Sequence, residues 1–266
     1  MRITLIGAGN LATQLGKALS VAGHKIVQVY SRTSVSAEIL ANTIGGIATN
    51  NLSEINNEAD IYIYALKDSV LRDVIKETSC NIGLDKILLH TAGSMSIDCF
   101  ATESKAMHYG VLYPMQTFSK SRDVNFNEIP CFIESNDVYT DGKIRELAES
   151  ISDNVYELSS EKRKYLHLSA VWACNFTNHC YTIASEIVGK CGLPFDVLFP
   201  LIDETARKVH DLSPQKAQTG PAIRYDDNVI KAQMELLGTD EMLTNIYMKM
   251  SKSIYQRNKI AEEKIW

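Results

Sequence analysis

Short apolar runs alternate with helical patterns along the first 158 residues of the chain. Leu11, Leu15 and Leu19 recur at helical spacing, and Gly23 stands where that helix should end. Apolar runs at 3–6, 26–30, 60–66 and 86–90 predict strands, and further extended stretches follow at 131–135 and 154–158. This alternation predicts an α/β fold with a doubly wound, mostly parallel sheet that is covered by helices on both faces.

The pattern changes near residue 159, after which almost only helical periodicity occurs. It predicts helices over residues 161–190, 195–210 and 226–264, the last of them broken near Gly238. We therefore expect two domains, an α/β domain of residues 1–158 and an all-helical C-terminal domain of residues 159–266.

Composition narrows the range of functions. The chain has 266 residues and a formal net charge of −5, so we expect no nucleic-acid-binding surface. Its six cysteines include no C-x-x-C pair, and no side chains have the spacing of a zinc, iron or calcium site, so we expect no metal. We find no secretion signal, and no apolar run approaches the length needed to span a bilayer, which together favour a cytoplasmic protein with reduced thiols.

A glycine-rich turn follows the first predicted strand. In "IGAGNLA", Gly7, Gly9 and Ala12 fit the pattern G-x-G-x-x-A. The first glycine permits a tight turn, the second lets a pyrophosphate approach the backbone, and the alanine lets helix and strand pack closely. The phosphates would bind at the start of the helix, beside Asn10 and Leu11. A merely structural turn is the alternative, but the strand–turn–helix context favours dinucleotide binding.

The second predicted strand lacks the acidic residue that binds the ribose of NAD. Ser31, Arg32 and Thr33 follow it instead, and they supply a cation and hydroxyl donors where the fold places the adenosine ribose. These groups suit the 2′-phosphate of NADP. An ordinary solvated Arg32 is the alternative. We favour NADP because the charge lies where a phosphate is expected.

A polar face marks the first predicted helix of the C-terminal domain. A turn of about 100° per residue places Lys164, His167 and Asn175 on this face. Solvated helix faces are normally polar, but they favour Glu, Lys and Arg over Asn and His, so both interpretations stay open. We interpret the adjacent "EKRK" of residues 161–164 as solvent-exposed. Small and apolar residues cluster on the opposite face, where we expect packing: Leu166, Ala170, Ala173, Cys180 and Ala184.

The motifs "IGAGNLA", "VYSRT", "LHTAGS", "YPMQTFS" and "TGPAIRYDD" together resemble the 6-phosphogluconate-dehydrogenase-like superfamily. Members include pyrroline-5-carboxylate reductase and the deazaflavin-dependent NADP oxidoreductases. More closely, the chain resembles a bacterial family of NADP oxidoreductases, in which a Rossmann-like domain precedes a helical domain of uncharacterised function. This family usually has His where the chain has Tyr113, so the chain lacks any chemistry that depends on that His.

The resemblance implies roles for residues near the nicotinamide. In related dehydrogenases the loops after two central strands pass the nicotinamide, which implies that Leu66 and Lys67 contact the cofactor and that His90 and Ser94 orient a carbonyl or imine. A strand-end His90 bonded to backbone is an equal alternative, and we interpret Asp68 as a helix cap.

The same related enzymes carry a catalytic Lys and Asn on the helix that corresponds to the one with the polar face. This implies that Lys164 or His167 donates a proton to the substrate, while Asn175 holds a carbonyl.

These residues are compatible with two main functions and a weaker third. The first is an NADP-dependent oxidoreductase that transfers a hydride between NADP(H) and a small carbonyl, imine or hydroxy compound in a cleft between the domains. The second is a non-catalytic NADP(H)-binding sensor, and hydride exchange with a deazaflavin is a weaker third. Met242, Ile246, Tyr247 and Met250 form a stripe that packing across a homodimer explains better than a cofactor site does. We expect no membrane partner.

Overall fold

The computed structural model describes residues 1–263, with side chains to residue 260. It divides into two compact units, Met1–Cys180 and a second unit that begins at Tyr181. The predicted domain boundary at 158/159 coincides with the end of the last strand and the start of a long helix. As a division of the chain into domains, it stays a prediction.

Eight strands form one sheet in the first unit. They are β1 (Arg2–Ile6), β2 (Lys25–Tyr30), β3 (Ile47–Thr49), β4 (Ile61–Tyr64), β5 (Ile87–His90), β6 (His108–Pro114), β7 (Cys131–Ser135) and β8 (Val155–Glu157). Their order is β3-β2-β1-β4-β5-β6-β7-β8. Strands β1 to β6 are parallel, whereas β7 pairs antiparallel with β6 and parallel with β8. The predicted doubly wound, mostly parallel sheet is confirmed.

The helices of the first unit are α1 (Asn10–Val21), α2 (Ser34–Ile44), α3 (Asp68–Thr78), α4 (Asp98–Glu103), α5 (Val138–Glu149), α6 (Ser160–Ala170) and the beginning of α7 (Thr177–Gly189). A π-helical turn, Val171–Phe176, joins α6 to α7. The predicted helix over residues 161–190 is therefore present but is not α-helical throughout.

Two apolar layers hold these helices on the sheet. Leu15 of α1, Leu40 of α2 and Ile144 of α5 belong to the core on one face, and Leu71 of α3 and Phe100 of α4 belong to the core on the other. All residues of β4 and β5 are buried, as expected of parallel strands covered on both faces. Because β1 to β6 run in one direction, the loops that follow β1, β4, β5 and β6 lie at one edge of the sheet.

The second unit is helical. After α7 it contains α8 (Phe199–Asp211), α9 (Pro214–Ala217), α10 (Pro221–Arg224), α11 (Asp227–Leu237) and α12 (Glu241–Glu263). Asp226 accepts a hydrogen bond from the Val229 backbone N–H at 3.3 Å and so caps α11. Gly238 separates α11 from α12 at the predicted break, and the predicted end at residue 264 lies outside the described residues. The all-helical prediction is confirmed for residues 181–263.

Several other features bear on function. Within the described residues, every helix is too short or too polar to cross a bilayer. All six cysteines are free thiols. Among residues 1–260, no three His, Cys, Asp or Glu side chains are grouped where they could hold a metal ion.

Candidate functional site

The glycine turn has the geometry that a pyrophosphate needs. The Gly7 N–H donates to the Tyr30 carbonyl at 2.8 Å. Gly7 has φ of +127°, and a Cβ there would lie 2.3 Å from the Ala65 carbonyl oxygen, so the turn itself requires this glycine. Gly9 differs, because a Cβ there would meet no atom within 4 Å. The space above the Gly9 backbone is therefore open, as the approach of a pyrophosphate to that backbone requires.

Helix α1 begins directly after this turn and presents its free N–H groups to the same space. Its first turn includes Asn10 and Leu11 and carries no acidic side chain. Ala12 is fully buried, as the close helix–strand packing requires. The helix dipole and the unpaired N–H groups together favour an anion at this point, so the residues present fit a pyrophosphate.

The residues after β2 form a second place suited to an anion. The Ser31 N–H donates to the Thr49 carbonyl at 3.1 Å, and Thr33 is the residue that precedes α2. The exposed Arg32 forms no ion pair within 4.0 Å among the described side chains. Helix α2 has no acidic residue in its first turn, so its positive end and Arg32 are both available to a phosphate.

The loops after β4 and β5 are joined by a hydrogen bond. The Ser94 hydroxyl donates to the Asp68 carboxylate. Asp68 is the first residue of α3, and the cap position is occupied by Lys67, without a side-chain cap, so the interpretation of Asp68 as a cap is wrong. The Leu66 side chain lies beside Gly7, while Lys67 is exposed at the same edge. Both remain predicted cofactor contacts.

His90 points into the core. Its ring is fully buried, stacks on Phe100 at 5.7 Å, and accepts a hydrogen bond from the Ala92 N–H at Nδ1 (3.1 Å). Burial, followed by the charge of Arg163, lowers the pKa of His90 to about 3. The ring is therefore neutral near pH 7. Its surroundings match the interpretation of His90 as a strand-end histidine bonded to backbone.

His167 and Tyr113 form a pair at the carboxyl edge of the sheet. The Tyr113 hydroxyl lies 3.0 Å from His167 Nδ1, and the two rings meet edge to face at 6.1 Å. The imidazole packs directly over Gly93, where a Cβ would lie 2.5 Å from Nδ1. Burial raises the pKa of the Tyr113 phenol, although Arg163 opposes this effect. The phenol is therefore protonated near neutral pH.

A buried arginine fixes the helix that carries His167. Arg163 is fully buried, and its guanidinium donates to the carbonyls of Ala92 (3.3 Å) and Met95 (2.6 Å) and to the Glu134 carboxylate (2.6 Å). Ser160 donates to the same carboxylate at 2.7 Å. Helix α6 is thus tied to the loop after β5 and to β7, one turn before His167. The interpretation of residues 161–164 as solvent-exposed is wrong for Arg163.

Two other predicted catalytic residues, Lys164 and Asn175, lie on α6 and in the π-helical turn. Lys164 is exposed one turn before His167. Asn175 lines a separate cavity with the loop after β6. The structure thus brings His167 to Tyr113 and Gly93, and it places neither His90 nor Asn175 in that contact. No pattern in the sequence distinguishes Arg163, whereas Tyr113 belongs to the motif "YPMQTFS".

Two family models match separate parts of the chain. Residues 2–92 match the family described as NADP oxidoreductase, coenzyme F420-dependent. Residues 129–254 match a domain of unknown function, DUF2520. None of the curated proteins matches the chain.

Several solved structures are similar over almost the whole chain. A putative NADP oxidoreductase from Bacteroides fragilis is 49% identical, with 96% of this chain and 98% of that chain covered and a TM-score of 0.91. A protein from Thermotoga maritima is 22% identical, with 98% and 99% covered and a TM-score of 0.71. An imine reductase from Myxococcus stipitatus, solved with NADP⁺, is 15% identical, with 99% and 94% covered and a TM-score of 0.63.

Proposed function

Because the chain belongs to a family of NADP oxidoreductases in which a Rossmann-like domain precedes a helical domain of unknown function, we propose that it transfers a hydride between NADP(H) and a small carbonyl, imine or hydroxy compound. The cofactor supplies the hydride when it is bound. Gly7, Gly9 and the start of α1 hold the pyrophosphate, and Ser31, Arg32 and Thr33 hold the 2′-phosphate.

The proposed reaction type rests on the contact between Tyr113 and His167. Reduction of a carbonyl or imine carbon requires a proton at the adjacent oxygen or nitrogen. A neutral phenol 3.0 Å from an imidazole can give that proton and regain it from His167. The pair lies at the edge where the Gly7 turn and the loops after β4 and β5 also meet. Tyr113 therefore takes the position of the family's usual His without loss of a proton donor.

Substitution of the pair tests this proposal. We expect Tyr113→Phe to lower kcat about a hundredfold or more for NADPH oxidation with an active compound from a panel of oxo acids, aldehydes and cyclic imines. We expect His167→Asn to act in the same direction, with NADPH affinity retained in both variants. Tyr156→Phe is the matched control, because Tyr156 is an exposed tyrosine on β8.

Three outcomes would contradict the proposal or part of it. Tight NADPH binding with no turnover across the panel would favour the sensor function. Turnover only with coenzyme F420 would favour exchange with a deazaflavin, which is the coenzyme in the description of the family matched by residues 2–92. Wild-type turnover in Tyr113→Phe would remove the pair from the mechanism.

The second unit supports a homodimer as the working form. Among the side chains of residues 181–260, Ile230 is the one apolar residue that is buried. Large apolar side chains such as Phe199, Leu201 and Leu236 are more than half exposed. Met242 and Met250 of the predicted stripe are exposed as well. Helices normally bury such faces, and a second copy of the chain offers the complementary surface.

The dimer is tested by the mass in solution. Light scattering should give twice the chain mass, and Leu201→Glu with Leu236→Glu should shift the mass toward that of one chain. A wild-type monomer at micromolar concentration would contradict this part of the proposal. The cytoplasmic location stays a prediction.

A further inference from the structure

A cavity of about 520 Å³ lies in the first unit, between the loop after β6 and the π-helical turn. Its walls are Gln116, Thr117, Ser119, Arg122, Asp123, Val124, Cys174, Asn175 and Asn178. None of these residues belongs to the glycine turn or to the Ser31–Thr33 segment. Most of the walls are polar, so the cavity is suited to a hydrogen-bonding ligand.

The π-helical turn shapes one wall of the cavity. Thr177 donates its hydroxyl to the Trp172 carbonyl at 3.2 Å, five residues back, as the wider turn permits. Three of the wall residues, Cys174, Asn175 and Asn178, come from this turn and from the start of α7. Isolated π turns within α-helices are uncommon and frequently lie at functional sites.

The opposite wall is held in place from α1. Gln14 is buried and donates through Nε2 to the carbonyls of Ser119 (2.7 Å) and Arg122 (2.9 Å). Lys17 pairs with Asp123 at 2.9 Å. The loop is therefore anchored to α1, the helix that begins at the nucleotide turn.

The charges that line the cavity are unbalanced. Asp123 is the acidic residue of the cavity walls, and it forms an ion pair with Lys17. Arg122 forms no ion pair within 4.0 Å among the side chains of residues 1–260. One positive charge is therefore left, on the exposed Arg122, and the walls that it shares with Asn175, Thr117 and Ser119 offer an amide and two hydroxyls.

We propose that this cavity binds a carboxylate group of the substrate. The Arg122 guanidinium would pair with the carboxylate, which Arg can do with two parallel hydrogen bonds, and Asn175 and Thr117 would donate further hydrogen bonds. A single unbalanced cation matches a monoanion, whereas a phosphate dianion would leave charge uncompensated. The inference rests on the proposed function, and it makes the substrate class oxo or imino acids and their hydroxy or amino counterparts.

Binding to the NADP⁺-saturated protein tests the proposal, because the oxidised cofactor cannot reduce the probe. The probes are 5-oxohexanoate and 5-oxohexanamide, which have the same chain and differ in a charged carboxylate against a neutral amide. Calorimetry measures their affinities. We expect the carboxylate to bind about tenfold or more tightly than the amide, as for a hydrogen bond to a charged group. Arg122→Gln should abolish the preference. Lys120→Gln should keep it, because Lys120 is an exposed cation of the same loop outside the cavity walls.

The outcomes separate the inference from the function on which it rests. If NADP⁺ binds but neither probe does, or if Arg122→Gln keeps the preference, the carboxylate site is overturned while the oxidoreductase proposal stands. If Arg122→Gln and Lys120→Gln reduce the preference for the carboxylate equally, the preference reflects only the general attraction of a basic loop. This result would also overturn the site. Absence of NADP⁺ binding would instead contradict the proposed function.

Discussion

Removal of the Arg163 side-chain charge should destabilise the protein strongly. In Arg163→Met the apolar stem stays, but every hydrogen bond of the guanidinium is lost. The carbonyls of Ala92 and Met95 are left without this donor, and of the described partners Glu134 keeps the Ser160 hydroxyl at 2.7 Å. The substitution therefore leaves a largely buried carboxylate without its counter-charge.

The size of the effect follows from the burial of the pair. Arg163 has no exposed side-chain surface and Glu134 is 17% exposed. Breaking such a pair from one side costs about 3–5 kcal/mol. In a chain of this size this cost corresponds to a fall in Tm of roughly 6–20 °C. Arg163→Lys should recover only part of the loss, since an ammonium cannot reach four acceptors in the guanidinium geometry.

Urea unfolding of Arg163→Met, Glu134→Gln and the double variant measures both the loss and the coupling. We expect a coupling energy of about 1–3 kcal/mol, little changed by salt because the pair is buried. Lys162→Met is the control, because Lys162 is the exposed neighbour on the same helix. A loss below about 1 kcal/mol for Arg163→Met, equal to that of the control, would refute the reasoning.

Three further changes have definite expected results. Arg32→Ala should weaken NADPH binding about tenfold or more and leave NADH binding nearly unchanged, as measured by fluorescence titration; equal losses would remove the 2′-phosphate contact. Since the folded-state pKa of His90 is lowered from 6.5 to about 3, its contribution to stability is fully present above pH 6.5. This contribution falls by up to about 1.4 kcal/mol per pH unit as the pH drops from 6.5 toward 3. In His90→Gln, the free energy of unfolding measured in urea should fall less steeply between pH 6.5 and 3 than in the wild type. An unchanged slope would contradict a buried neutral ring. Gln14→Leu should loosen the loop after β6 and speed tryptic cleavage at Lys120 or Arg122, whereas an unchanged cleavage rate would show that the loop does not depend on Gln14.

Local features of the fold could be predicted from the sequence. The glycine turn, the strands around it and the break at Gly238 each depend on residues a few positions apart, which a sequence pattern records directly. The family resemblance and NADP as its nucleotide follow from the same local motifs and are confirmed. The predicted cofactor and catalytic contacts stay predictions, since they depend on a bound ligand.

Contacts between distant parts of the chain could not be predicted in this way. Arg163 meets acceptors 71, 68 and 29 positions away, and nothing in "EKRK" distinguishes it from its exposed neighbours. Gln14 holds a loop 105 positions away. These residues meet only in the folded chain, where α6 and α1 pack against the loops after β5 and β6.

The π-helical turn explains a further difference. A wheel of 100° per residue assumes 3.6 residues per turn, so its angles drift once the wider turn begins at Val171. The predicted packed face is therefore wrong at Ala173 and Cys180, which are exposed. The polar face is likewise divided, with His167 at Tyr113 and Asn175 at the cavity.

The contact of Gly93 with His167 restricts how both positions can change in related chains. A methyl group at position 93 would occupy the place of the imidazole, so a larger residue there is compatible only with a smaller or displaced one at 167. Aligned homologues should therefore show the two positions covarying, although 73 intervening residues separate them. Where glycine is lost from the loop, the histidine should be lost from the helix as well.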